Sequence, residues 1–185
     1  MTPAIGNQLL DLVQTGDLAD LGPGPRASAM PFATLNRTLD DLLTRGGFVG
    51  EPGDLIRALV LLWHDHLDAS HTISQGIESA DGSLLHGIMH RREPDYWNSK
   101  YWFRRVGNHA AFPGIAMSVS EMLTERDAGK LASQLWPHCT WNPSVFVEAV
   151  EPACGRAGTD EQRELLRAVQ QVEFQVLLGF FLARE

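Results

Sequence analysis

The chain is short of the features that place a protein quickly. Its 185 residues contain two cysteines, Cys139 and Cys154, and neither belongs to a CxxC pair. A disulfide framework, a zinc ribbon and a thioredoxin-type redox motif are thereby excluded. No alternating run of β-branched residues is present to suggest strands. No uninterrupted apolar run approaches the ~18 residues of a membrane span; the longest candidate is VLLGFFLA, near the C-terminus. The start, MTPAIGNQLLDLVQTGD, lacks the basic region and apolar run of a secretory signal, so a cytoplasmic protein is expected. Basic surplus is lacking too. The net charge of -8 argues against nucleic acid and against an anionic membrane surface as partners.

What is present reads as helix. Phe32, Leu35, Leu39 and Leu42 recur at helical spacing, and Arg45-Gly46-Gly47 closes that segment. Pro3 starts a first helix through Val13, with a glycine- and proline-rich loop over 21–31 after it. Pro52 and Asp54 open a long helix running towards Gly76 or Glu78. The ADGS turn (80–83) leads into a short helix to Arg92, which Pro94 ends. A further helix follows over DYWNSKYWFRRV, and another from Ala110 to Arg126 with a bend at Pro113-Gly114. Asn142-Pro143 caps the next, and Thr159 with Gln162 starts a last helix reaching Ala183. The expectation is one all-α domain over residues 1–185, with about seven to nine helices.

Histidine is absent from residues 1–60 and then occurs three times in LLWHDHLDASHTIS (61–74). On one continuous helix, His64, Asp68, His71 and Gln75 share a stripe roughly 60° wide, and His66 falls on the apolar side as a core histidine. The plainer alternative is a solvated face. Against it, no Lys, Glu or Arg occurs between Leu59 and Gln75, and the middle of the segment is apolar nearly all round. In GSLLHGIMHRRE, His86 and His90 stand one turn apart, the spacing helical zinc sites use. A short turn joins the two segments, so an antiparallel pair is expected to face both stripes into one cleft. His64, His71, His86 and His90 are therefore candidate ligands of a divalent zinc, iron, nickel or manganese ion. Asp68 and His71 are candidates for acid/base work. The HExxH signature is absent, and no earlier histidine supports an HD-type phosphohydrolase. His109 and His138 lie in loop-like contexts, and Cys139 and Cys154 read as small buried hydrophobes.

The stretch 90–109 mixes cations with aromatics. Arg91, Arg92, Lys100, Arg104 and Arg105 stand against only Glu93 and Asp95. They are candidates, with Gln75, for holding a small anionic substrate. The alternative is that the arginines pair with carboxylates elsewhere. Trp97, Tyr101 and Trp102, at helical spacing, read as core.

The blocks DASHTISQGIE and GSLLHGIMHRREPDYWNSKYWFRRVGNH resemble a family of uncharacterised bacterial and fungal proteins. These carry an HTISQ block followed by an H-x-IMHRREPDY-x-NSKYWFRRVG-x-H block, and the likeness covers roughly residues 62–109. It brings no established activity. It places the weight on His71, Ser74 and Gln75, and on His86, His90, Arg91, Arg92 and Glu93, rather than on His64. Glu93 thereby joins Asp68 and His71 as a catalytic candidate. The function expected is a hydrolase or isomerase acting on a small anionic molecule, either metal-assisted or by metal-free acid/base catalysis with Asp68 orienting a histidine. The alternative is a non-catalytic binding or interaction protein whose polar cluster is structural. A homo-oligomer is compatible with either.

Overall fold

The computed structural model describes residues 3–128, 140–156 and 158–184. His138 and Cys139 lie outside them. Nine helices are described: α1 Pro3–Asp11, α2 Phe32–Gly46, α3 Glu51–Trp63, α4 Leu67–Ser74, α5 Ala80–Arg92, α6 Tyr96–Val106, α7 Phe112–Glu125, α8 Pro143–Cys154 and α9 Asp160–Leu182. No strand occurs among the described residues, so the fold is all-α.

Local chemistry explains most of these boundaries. Gly47 closes α2 at φ 73°, where a Cβ would be strained, and the following Phe48 N–H reaches the Leu43 carbonyl at 2.9 Å. Asn142 and Thr159 cap α8 and α9 by accepting the Ser144 and Gln162 backbone N–H groups. Ser79 caps α5 in the same way through the Gly82 N–H, so the ADGS stretch is the first turn of that helix and not a preceding loop. Pro113 lies in the first turn of α7, where its missing N–H costs nothing, so it starts the helix instead of bending it.

α3 and α5 are buried on nearly all sides and lie at the centre. α3 packs on α4, α5 and α9, while α5 packs on α4 and α6. One continuous apolar core includes Leu59, Trp63, Ile88, Phe146, Phe174 and Phe181. Among the described helices, α9 alone is long and apolar enough to cross a membrane, a length the longest uninterrupted apolar run did not reveal. Its Gln170 and Glu173 are fully buried against Arg91, so here it packs as a core helix.

The long helix expected from Pro52 towards Gly76 is in fact two. It ends at Trp63 and restarts at Leu67, with Asp65 between them at φ 65°. Aspartate tolerates that left-handed geometry better than most residues. Three side chains hold the corner. His64 accepts the Met30 N–H at Nδ1 (3.1 Å), and its Nε2 donates to the Leu12 carbonyl (2.9 Å). His66 Nε2 reaches the Met30 carbonyl at 2.8 Å. Asp65 is buried between Arg26 (3.0 Å) and Arg92 (2.6 Å). The histidine-rich run is therefore a corner pinned to the 12–30 loop.

Candidate functional site

Three imidazoles converge where α4 meets α5. His71 comes from α4, and His86 and His90 come from successive turns of α5. Ring centroids are 4.8 Å apart for His71–His86, 5.2 Å for His71–His90 and 4.8 Å for His86–His90. One ring nitrogen of each lies within 4.8 Å of the other two. His64, with both nitrogens bonded to backbone in the corner, takes no part. The stripe expected to join it to His71 does not form, because the chain turns between them.

His86 is the unusual member. It is 4% exposed, and neither ring nitrogen has a hydrogen-bond partner. Its ring lies nearly parallel to Trp102 at 4.0 Å, with the stacked His90 ring at 4.8 Å. Burial pushes its pKa down to about 4, and neighbouring His90 and His71 push the same way. Burial likewise lowers His90, although Glu93 opposes the shift. His86 is therefore a neutral imidazole at neutral pH, with a lone pair free to bind a cation.

Glu93 orients His90 by taking the Nδ1–H at 2.9 Å, which leaves Nε2 unprotonated. The Asn98 amide nitrogen is 3.0 Å from Nε2 and 3.5 Å from Nδ1. An atom on the in-plane axis of Nε2 could not also lie that near Nδ1. The amide therefore sits over the ring face, and the Nε2 lone pair stays open. Neither nitrogen of His71 is hydrogen-bonded among the described residues, and the residue is half-buried.

Close packing of α5 on α6 builds the far wall. Gly87 makes it possible: a Cβ there would stand 2.5 Å from Phe103 Cε1. Ser99 Oγ donates to the Gly87 carbonyl at 2.7 Å, so α6 is tied at the same level. That register brings Asn98 to His90 and Trp102 to His86, two contacts not foreseen from the sequence. Their i, i+4 spacing, flanking the inward Ser99 and Phe103, was the available signal.

The remaining candidates divide. Arg91 and Arg92 are fully buried and do not face an open site. Arg91 forks onto Glu173 at 2.5 and 3.2 Å, and Arg92 bonds Asp65, the Leu62 carbonyl at 2.7 Å and the Gly22 carbonyl. Their expected substrate contacts give way to structural ion pairs. Lys100 pairs with Glu148 at 3.5 Å. Arg104 and Arg105 are exposed, over the rings of Tyr101 (5.9 Å) and Trp102 (5.1 Å). Asp68 and Glu93 line a groove of about 540 Å³ with Phe32, His66 and Leu67. Gln75 is exposed at the end of α4, and Ser74 is buried there. Trp97 and Tyr101 are on the surface instead of in the core. Cys154 is exposed as a residue, not buried, although partial desolvation of its thiol raises its pKa against the opposing hydrogen bond with Tyr96. His109, given no role, bonds buried Asp81 at 2.7 Å.

No family model, curated protein or solved structure matches the chain significantly.

Proposed function

We propose that His71, His86 and His90 hold one divalent metal ion and that the protein is a metal-assisted hydrolase. The observation carrying this reading is His86: a buried imidazole with two unbonded nitrogens costs free energy that a bound cation offsets. Three imidazoles also leave a coordination position open, as catalytic zinc sites do and closed structural sites do not. Imidazole ligands suit zinc, iron or nickel better than manganese, which favours oxygen. At ~2.0–2.1 Å from each nitrogen, a tetrahedral ion needs them about 3.4 Å apart, so the cluster tightens on binding. His71, half-buried and free of hydrogen bonds, is the ligand that moves. Glu93 positions His90 through Nδ1–H, the carboxylate–histidine arrangement that fixes a ligating ring. The ion supplies a water acidic enough to act as a nucleophile near pH 7. Asp68, which lines the same groove as Glu93, is the candidate that would take its proton.

The test is elemental analysis of untagged protein purified without chelator, with zinc titration of the stripped protein. About one equivalent per chain is expected. Glu93→Gln weakens affinity about 10- to 100-fold, and His71→Ala, a change at a half-buried site, weakens it further. Absence of retained metal together with no zinc uptake overturns the reading, as does uptake unaffected by His71→Ala and His86→Ala.

A further inference from the structure

The aromatic residues of α6 take no part in holding a metal, yet they form the most exposed apolar feature near the cluster. Trp97 is 75% exposed and Tyr101 39% exposed. Their rings are within 13° of parallel, with centroids 6.3 Å apart. Among the described residues nothing buries them, and a contiguous exposed apolar patch is a mark of a binding site. Arg104 lies over Tyr101 and Arg105 over Trp102, and neither guanidinium meets a carboxylate among the described residues. Lys100, by contrast, is paired with Glu148.

We propose that this face of α6 binds a small planar aromatic anion, its ring stacked on Trp97 and Tyr101 and its anionic group held by Arg104. Charge decides the sign of the ligand. The site's free charges are guanidinium groups, which match carboxylate and phosphate oxygens in a planar fork. Charge also limits its size. A chain with net charge -8 repels a polyanion, so a single small molecule fits where a nucleic-acid strand does not. The platform runs on to the histidines, since Tyr101 meets Trp102 edge-on at 5.5 Å and Trp102 stacks on His86. Trp102 links a ligand seated there to the proposed metal centre. The inference rests on that reading only for what becomes of the ligand, and its binding is testable without metal.

Calorimetric titration of the metal-free protein with 2-naphthoate, its isosteric cation 2-naphthylmethylamine, and 5′-AMP tests the proposal. Saturable binding of naphthoate or AMP is expected, with no binding of the amine. Whichever of the two anions binds tighter separates an aromatic carboxylate from a nucleotide as the natural ligand. Trp97→Ala weakens binding about 5- to 150-fold, the worth of one stacked ring. Arg104→Gln weakens it about tenfold or more. Both residues are exposed, so thermal unfolding should remain that of the unaltered chain. Failure of both anions to bind, equal binding of the amine, or affinity unchanged in both variants overturns the proposal. Metal content is read on the same preparations, so loss of the metal-centre reading and loss of this one are separate results.

Discussion

Arg91 is the residue whose role the structure changes most, and its substitution has a calculable cost. Its guanidinium and the Glu173 carboxylate are both 0% exposed, 82 positions apart in sequence, and joined by two hydrogen bonds. Gln170 Oε1 adds a long third contact at 3.4 Å, and the guanidinium lies 4.4 Å from the centre of the Phe146 ring. Arg91→Met keeps the bulk of the side chain but leaves Glu173 as an unpaired buried charge. Breaking such a pair costs about 3–5 kcal/mol. For a chain of this size each kcal/mol moves the melting temperature by roughly 2–4 °C, so a fall of roughly 6–20 °C is expected. Arg91→Met with Glu173→Leu removes both charges and recovers most of that loss, because well-packed apolar replacements of a buried pair are often neutral. Arg91→Lys falls between, as it keeps the charge and loses the fork. Urea unfolding followed by circular dichroism measures all four chains. A cost below about 1 kcal/mol for Arg91→Met, or a double variant no better than the single, would refute the structural role. Arg91 would then return to the pool of ligand-binding candidates.

Two further perturbations test how the site is supported. Gly87→Ala places a methyl group 2.5 Å from Phe103 Cε1, so α6 must shift; about 1–3 kcal/mol of destabilisation is expected, with an altered tryptophan emission spectrum as Trp102 leaves His86. Unchanged stability and emission would show that the α5–α6 spacing has slack. Asp81 offers a pH test. Burial alone would raise its pKa, but bonds from His109 and Arg184 outweigh burial and hold it below 3.8. Its folded value therefore lies below its unfolded one, so its stabilisation is present above about pH 4 and disappears as acid protonates the folded carboxyl. Asp81→Asn should be less stable than the unaltered chain at pH 7 and should lose less on going from pH 5 to pH 2. Parallel acid limbs in urea titrations would exclude Asp81 as a source of acid sensitivity.

Helices were legible where their signals are local. Caps at Asn142 and Thr159, the glycine stop at Gly47 and the spacing of Leu35, Leu39 and Leu42 all act within a few residues. The pairing of His71 with His86 and His90 was legible for the same reason, since one short turn separates the two helices. What escaped was settled at long range. The break at Asp65 depends on Arg26 and Arg92, and His64 and His66 are claimed by a loop 34 or more positions away. No helical wheel contains that information. Arg91 and Arg92 follow the second of their two readings, pairing with carboxylates elsewhere, and they do so in different directions because successive helical residues point about 100° apart. Trp97 and Tyr101 depart from their core reading. Their spacing is that of a core stripe, but Ser99, Phe103 and Val106 supply the inward face of α6 and leave the larger rings outside.

The last turn of α5 shows how these features fit together. His90, Arg91, Arg92 and Glu93 are consecutive, so they leave the helix in four directions. His90 turns to the cluster, Arg91 to α9, Arg92 to the Asp65 corner, and Glu93 back onto His90 from the groove. Each arginine anchors α5 to a different part of the fold, one to α9 and one to the corner that ends α3. Neither pair is needed for net stability, since apolar replacements would serve as well. What apolar contacts supply poorly is a fixed axial position, because they tolerate sliding and a fork of hydrogen bonds does not. In the proposed metal site, the two ligands on this helix would have to be held to about 0.5 Å, while His71 on α4 supplies the movement. Two anchors on the two residues that follow His90 restrict both the rotation and the translation of the helix that carries two of the three imidazoles. The expensive buried charges thus lie close to the ring whose placement matters, on the helix that also holds His86 with its two unbonded nitrogens.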